Sequence, residues 1–148
     1  MDGGGVSFAL RIPAEHSAVP FVRCTIVALL IREGWDAESA SRILLASSEA
    51  ISNAIDHGSP ADGAVHIAFM VCEEHADLTV RDEGRPGTEL PAVPTEPPAP
   101  ESTSGRGLLI LGRLSQELEV RRVGRGTEVH AGFERGATVP ALKAYATA

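Results

Sequence analysis

The sequence predicts an α+β fold, a two-layer α/β sandwich whose mixed, mostly antiparallel sheet carries its helices on one face. Three observations predict it. Two segments of helical period follow one another in the first half of the chain. Strand-like stretches downstream come in pairs joined by short polar or glycine turns. The order along the chain then reads β-α-α-β-β-loop-α-β-β.

Each element has its own signal. Residues 7–12 alternate in strand fashion and stop at Pro13. A helical pattern covers about 17–33, with Pro20 tolerated in its first turn and Gly34 as its stop. Asp36 reads as the N-cap of a second helix, with Glu38 well placed in the first turn. That pattern runs to about His57, where Gly58-Ser59-Pro60 closes it. Leu44, Ser48, Ile51 and Ile55 form its apolar stripe, Ile51 and Ile55 being the core residues. Strands at about 64–72 and 76–81 flank a polar turn. Residues 91–100 hold five prolines and cannot join a helix or a sheet interior. From composition they are a functional loop or a bland tether. A short helix follows over about 105–115. Strands at 117–123 and 127–133, turned by Gly124-Arg125-Gly126, close the domain. A single domain over 1–148 is expected, its core at about 7–133 and its tail from about 136 poorly ordered.

Composition narrows the function classes. A formal net charge of −7 argues against a protein whose main work is gripping nucleic acid. Lys143 is the lone lysine against twelve arginines, which excludes a P-loop. No apolar run is long enough to span a bilayer, and the N-terminus lacks a signal-peptide pattern, so no membrane contact and a cytoplasmic location are expected. Cys24 and Cys72, far apart in apolar segments, read as reduced core thiols.

Three patches carry chemistry. Glu49 and Asn53 stand four residues apart, on one helix face and away from the apolar stripe. They face either solvent or a pocket. Two hard oxygen groups there suit Mg²⁺, its bound water or an attacking hydroxyl. Asp82, at a strand end before Gly84, can accept from an exocyclic amine while the glycine lets a flat ring approach. The Gly105-Arg106-Gly107 turn enters a helix, a natural phosphate site to which Arg106 adds a cation. Gly126-Thr127 offers a further donor. Singly, each patch also has a bland reading as a solvated face or an ordinary turn.

Together, Glu-x₃-Asn-x₃-His-Gly, then Asp-x-Gly, then Gly-x-Gly-Leu after a loop, then Gly-Thr in a closing strand resembles the GHKL (Bergerat-fold) ATPase pattern. More narrowly, the chain resembles the small bacterial anti-sigma factor serine kinases of the SpoIIAB/RsbW type, over about residues 7–133. The resemblance implies a histidine-kinase-like ATPase fold that binds ATP and Mg²⁺. It implies Glu49 as general base, Asn53 as Mg²⁺ ligand, Asp82 as adenine reader and Gly84 as adenine floor. Gly105, Arg106 and Gly107 would cradle phosphates, Thr127 would support the adenine end, and about 85–106 would form the lid. It further implies a homodimer, a sigma factor partner and phosphorylation of a Ser/Thr on a STAS-domain anti-anti-sigma protein. Pro86 departs from the family's second glycine. The alternative is a non-catalytic module that sequesters a regulatory partner, with ATP as a structural ligand or with no nucleotide.

Overall fold

A computed structural model describes residues 4–87 and 106–136. Within them are five strands and three α-helices: β1 (Val6–Pro13), α1 (Val19–Arg32), α2 (Ala37–Asn53), β2 (Ala64–Val71), β3 (His75–Asp82), α3 (Arg106–Leu114), β4 (Glu117–Val123) and β5 (Gly126–Glu134). A 3₁₀ turn (His16–Ala18) precedes α1, and a π turn (Ala54–Gly58) extends α2. The strands form one sheet in the order β1-β2-β3-β5-β4. Every pairing is antiparallel, so the expected mixed sheet contains no parallel pair among the described residues. Connectivity explains this. A two-helix excursion returns the chain to the end it left, so β2 must run against β1, and the two short hairpins do the same for β2/β3 and β4/β5. Pro13 is accommodated because β1 is an edge strand.

Alternation along the strands gives the sheet one apolar face, and the helices cover it. Val22, Ile26 and Leu30 of α1, Ile43 and Ile51 of α2, and Leu111 and Leu114 of α3 are all fully buried against it. Phe69 and Phe133 are the largest side chains of that core. Removing either from water contributes roughly 2–3 kcal/mol. Trp35, just past α1, donates its indole N–H to the Cys72 carbonyl at 2.8 Å and so ties the helix layer to the end of β2.

Two sequence expectations need correction. Cys24 is exposed and Cys72 half-buried. The buried face of α1 runs through positions 22, 26 and 30, which puts position 24 on the outer side. The helix is apolar almost all round, with Phe21 and Ile31 also exposed, so its residue pattern had no phase to read. The stripe on α2 is also turned: Ile43, Ala46, Ala50 and Ile51 form the buried face, with Leu44 and Ser48 at its margin. Ile51 and Ile55 are buried as expected.

Asp36 caps α2, its carboxylate accepting from the Ser39 N–H at 3.0 Å. That hydrogen bond holds its carboxyl below the ordinary 3.8. A depressed carboxylate stabilises the fold above its unfolded pKa, and the contribution disappears as pH falls through the folded value. Asp36→Ala is therefore expected to lower the melting temperature by roughly 2–6 °C at neutral pH. The gap to wild type should close below pH 3.8 in a thermal-melt series.

Candidate active site

The last turn of α2 carries Glu49 and Asn53, both half-buried on its shoulder. With Ala46, Ala50 and Ile51 committed to the core, positions 49 and 53 are left on one flank, and α3 begins there. Gly107 is why α3 can come so close. A Cβ at that position would lie 2.8 Å from Asn53 Nδ2, 3.0 Å from Glu49 Oε2 and 3.1 Å from Asn53 Oδ1. The start of one helix thus lies directly over the oxygen pair of another, and unsatisfied N–H groups of a first turn favour negative charge. Burial pushes the Glu49 carboxyl up from its ordinary 4.5, toward the range in which a carboxylate works well as a base.

Gly107→Ala separates packing from propensity. Alanine favours the helix by about 1 kcal/mol, so the melting temperature should hold or rise. The added methyl displaces the Asn53 amide, and any reaction that uses the Glu49–Asn53 pair is expected to slow by about tenfold or more. Unchanged turnover would mean that this contact has no catalytic consequence.

A second cluster surrounds Asp82, which is 9% exposed at the end of β3. Its Oδ1 accepts from the backbone N–H groups of Gly84 and Thr127, both at 3.0 Å. Among the described residues Oδ2 accepts no hydrogen bond. The carboxylate fits there because position 58 is glycine: a Cβ at that position would sit 2.1 Å from Oδ2. Gly126 is held equally close to the Asp82 carbonyl, and Gly84, at φ +83°, lies against the Arg125 carbonyl. Gly58 at the end of the π turn and Gly126 at the start of β5 therefore pack against Asp82 itself, Gly84 packs against Arg125, and Oδ2 accepts from no described residue.

The loop after Asp82 is bolted to the end of the α2 extension. Ser59 Oγ donates to the Ala64 carbonyl and accepts from the Glu83 N–H. The Glu83 carboxylate accepts from the Ala64 N–H. Arg85 Nε donates to the Ser59 carbonyl at 2.8 Å and its Nη2 to the Ile55 carbonyl at 3.2 Å, placing a cation at the carbonyl end of α2.

The structure thus brings Glu49, Asn53 and Gly107 together, and separately Asp82, Gly84 and Thr127. The five-residue π turn links the two groups, since Asn53 precedes it and Gly58 ends it against Asp82. Gly105 and most of the expected lid lie outside the described residues. Arg106 is present as the first residue of α3. Gly58 and Gly126 belong to the expected His-Gly and Gly-Thr motifs but carried no expectation of packing against Asp82, and Arg85 carried no role in sequence.

This donor set fits a nucleotide and Mg²⁺. Oδ2 of Asp82 accepts no hydrogen bond from a described residue, and a helix start overhangs two oxygen-bearing side chains. Among the described residues no cluster of three or more His, Cys, Asp or Glu stands ready to hold a metal by itself. Magnesium suits such a site, since it usually takes one or two protein oxygens and shares the rest with water and substrate phosphates.

Comparison with known proteins places the fold in a family. Residues 12–133 match the family model described as the histidine kinase-like ATPase domain. The chain is 27% identical over 121 residues to a serine-protein kinase RsbW of Oceanobacillus iheyensis, covering 75% of this chain and 76% of the relative. It is 29% identical to the Bacillus subtilis protein of the same name over 76% of each. It is 33% identical over 129 residues to an anti-sigma F factor of Bacillus thuringiensis, covering 82% of this chain and 87% of the relative. In fold it is similar to a crystal structure of the RsbU and RsbW domains of a Mycobacterium tuberculosis protein. The TM-score is 0.66 at 20% identity, over 92% of this chain and 35% of that one. No helix among the described residues is long and apolar enough to cross a membrane. With a family match that runs from the end of β1 into the last residues of β5, the chain belongs to the histidine kinase-like ATPase domain family.

Proposed function

We propose that the chain is an ATP-dependent protein serine/threonine kinase that also acts as an anti-sigma factor. In this reading it sequesters a sigma factor as a homodimer in the cytoplasm, and it phosphorylates a Ser or Thr of a STAS-domain antagonist. The observation that carries the reading is the half-buried Glu49–Asn53 pair beneath Gly107. The relatives named serine-protein kinase and anti-sigma F factor support the kinase activity and the sigma factor partner.

The roles follow from the chemistry of each group. Asp82 Oδ2 accepts from the adenine amino group, while Oδ1, already held by Gly84 and Thr127, fixes the carboxylate plane. Gly58 leaves room for the Asp82 carboxylate itself, and Gly84 would form the floor beneath the base. The Asn53 side-chain oxygen is the Mg²⁺ ligand. The N–H groups of Arg106 and Gly107 in the first turn of α3 would face the phosphates, and Gly105 is proposed to join them. Bound Mg·ATP supplies the transferable phosphoryl group and neutralises its charge. Glu49 then accepts the proton of the substrate hydroxyl, a task for which its raised pKa suits it. Most of the remaining rate enhancement comes from positioning and charge neutralisation.

The test is a transfer assay. Purified chain, Mg·ATP and a STAS-domain antagonist should yield antagonist phosphorylated on Ser or Thr, read by intact-mass spectrometry. Sigma factor binding without any such transfer would replace the kinase with a sequestering module.

A further inference from the structure

The outer side of α1 is left bare in an ordered way. Phe21, Cys24, Ala28 and Ile31 recur at helical spacing, and each of them is exposed. Phe21 is 63% and Ile31 68% exposed, more than any other large apolar side chain among the described residues. The helix carries no acidic residue, and its charges are Arg23 and Arg32. Single exposed apolar residues are ordinary, but a whole helical row of them is a contact surface.

The chain returns to this helix after β5. The Arg135 N–H donates to the Glu74 carbonyl at 3.0 Å, its Nη1 to the Glu73 carbonyl at 3.2 Å and its Nη2 to the Gly34 carbonyl at 2.6 Å. Gly34, at φ +78°, is the residue at which α1 stops. One position earlier, the Glu134 carbonyl accepts from Arg42 Nη2 of α2 at 2.9 Å. Gly136 then leaves the extended strand conformation at φ +73°. The chain is thus fastened beside the C-terminal end of α1, where the bare row begins at Ile31. Residues 137–148, expected to be a poorly ordered tail, lie outside the described residues.

Their sequence matches the bare row. Val139, Leu142, Tyr145 and Ala146 fall at helical spacing, Pro140 is allowed in a first turn, and no acidic residue is present. We propose that residues 139–148 dock as a short helix, antiparallel to α1, on its outer face. Val139 then meets Ile31, Leu142 sits over the small Ala28, and Tyr145 closes over Cys24 and Phe21. The lengths agree. Residues 136–138 supply about 10 Å of linker. The ten residues after it make about 15 Å of helix, which is also the distance from Ile31 to Phe21 at about 1.5 Å per residue. A helix this short holds only when packed, so its order is tied to the docking. Docking takes two large apolar side chains out of water, and it sets the segment in competition with anything else that binds this side of the helix layer. Neither the ATP site nor the dimer enters this inference, so it stands apart from both.

Cys24, within the row, reports the docking. The rate at which a maleimide modifies it is measured in the whole chain carrying Cys72→Ser, with circular dichroism confirming each variant's fold. Ending that chain at Gly136 is expected to raise the rate about tenfold or more, since a covered thiol reacts only when its cover opens. Leu142→Glu with Tyr145→Glu should raise it from the side of the segment, and Ile31→Glu from the side of α1. Ala144→Glu, on the opposite side of the segment's helical pattern, should leave it low. The protection should not depend on protein concentration, because the cover belongs to the same chain. Equal rates in the whole and shortened chains would overturn the docking. Protection that fades on dilution would overturn it as well, by assigning the cover to a second copy.

Discussion

Glu49→Gln is expected to cut phosphoryl transfer to the protein substrate by about 10²–10⁴-fold, the range removed with a general base. ATP affinity should change little, because glutamine keeps the shape and leaves the Asn53 oxygen and the Asp82 carboxylate in place. The half-buried position also makes a separate stability forecast. Burial raises the Glu49 pKa above 4.5, so the folded protein favours the protonated form. A group shifted this way stabilises the fold below its unfolded pKa and loses that contribution as pH rises through the folded value. At neutral pH the ionised carboxylate is thus a burden on the fold, and Glu49→Gln should melt at a higher temperature than wild type. That gain should vanish below about pH 4.5. The wild-type rate should carry an acid limb centred above the ordinary carboxylate range, and the variant should lack it. A variant that turns over normally would remove Glu49 from the chemistry. One that is slow but melts below wild type at neutral pH would show Glu49 to be a structural residue instead. Stability given up at a working residue is a common trade, and here both sides of it can be read from one substitution.

What could be read in advance, and what could not, divides along the range of the interactions. The Asp36 cap, the strand 117–123 and the helix after Gly105 are local events, and local residue types announce them. Glu49, Asn53, Asp82 and Thr127 are bland one by one, and they could be named as candidates only because their order and spacing along the chain are distinctive. Gly107 could be named as part of a phosphate turn, but its packing against the Glu49–Asn53 pair is a tertiary fact. The same holds for Gly58 and Gly126. Each is glycine because Asp82 fills the space where a side chain would go, and nothing near them in sequence says so. The π turn over Ala54–Gly58 has ordinary helical residues, and Arg85, bound to carbonyls of that turn and of Ser59, shows what holds its far end. On α1 the failure had another cause. A helix with apolar residues on all sides offers no periodicity, so Cys24 could not be assigned to its outer surface.

Asp82→Asn is expected to abolish ATP recognition while leaving the fold in place, because the two oxygens of Asp82 have different duties. Oδ1 is structural, held at 3.0 Å by the N–H groups of Gly84 and Thr127, and an asparagine oxygen can accept both hydrogen bonds. Holding that oxygen in place forces the new amide nitrogen into the position of Oδ2, beside Gly58. There it presents hydrogen atoms to an adenine amino group that also donates, so an attraction becomes a clash of donors in a buried site. Sites built around one buried hydrogen bond reject the wrong partner by factors of about 10⁴, and leaving the donor unpaired costs about 1–3 kcal/mol even without repulsion. A loss of at least about tenfold in ATP affinity is therefore the minimum expected. Wild type with ATP at about 100 times its Kd should gain about 2.7 kcal/mol of stability, and the variant should show almost none of that thermal shift. Asp82→Ala removes both duties at once and should also lower the melting temperature without ligand, which Asp82→Asn should not. If Asp82→Asn binds ATP as wild type does, the available oxygen of this carboxylate reads something other than the adenine amine.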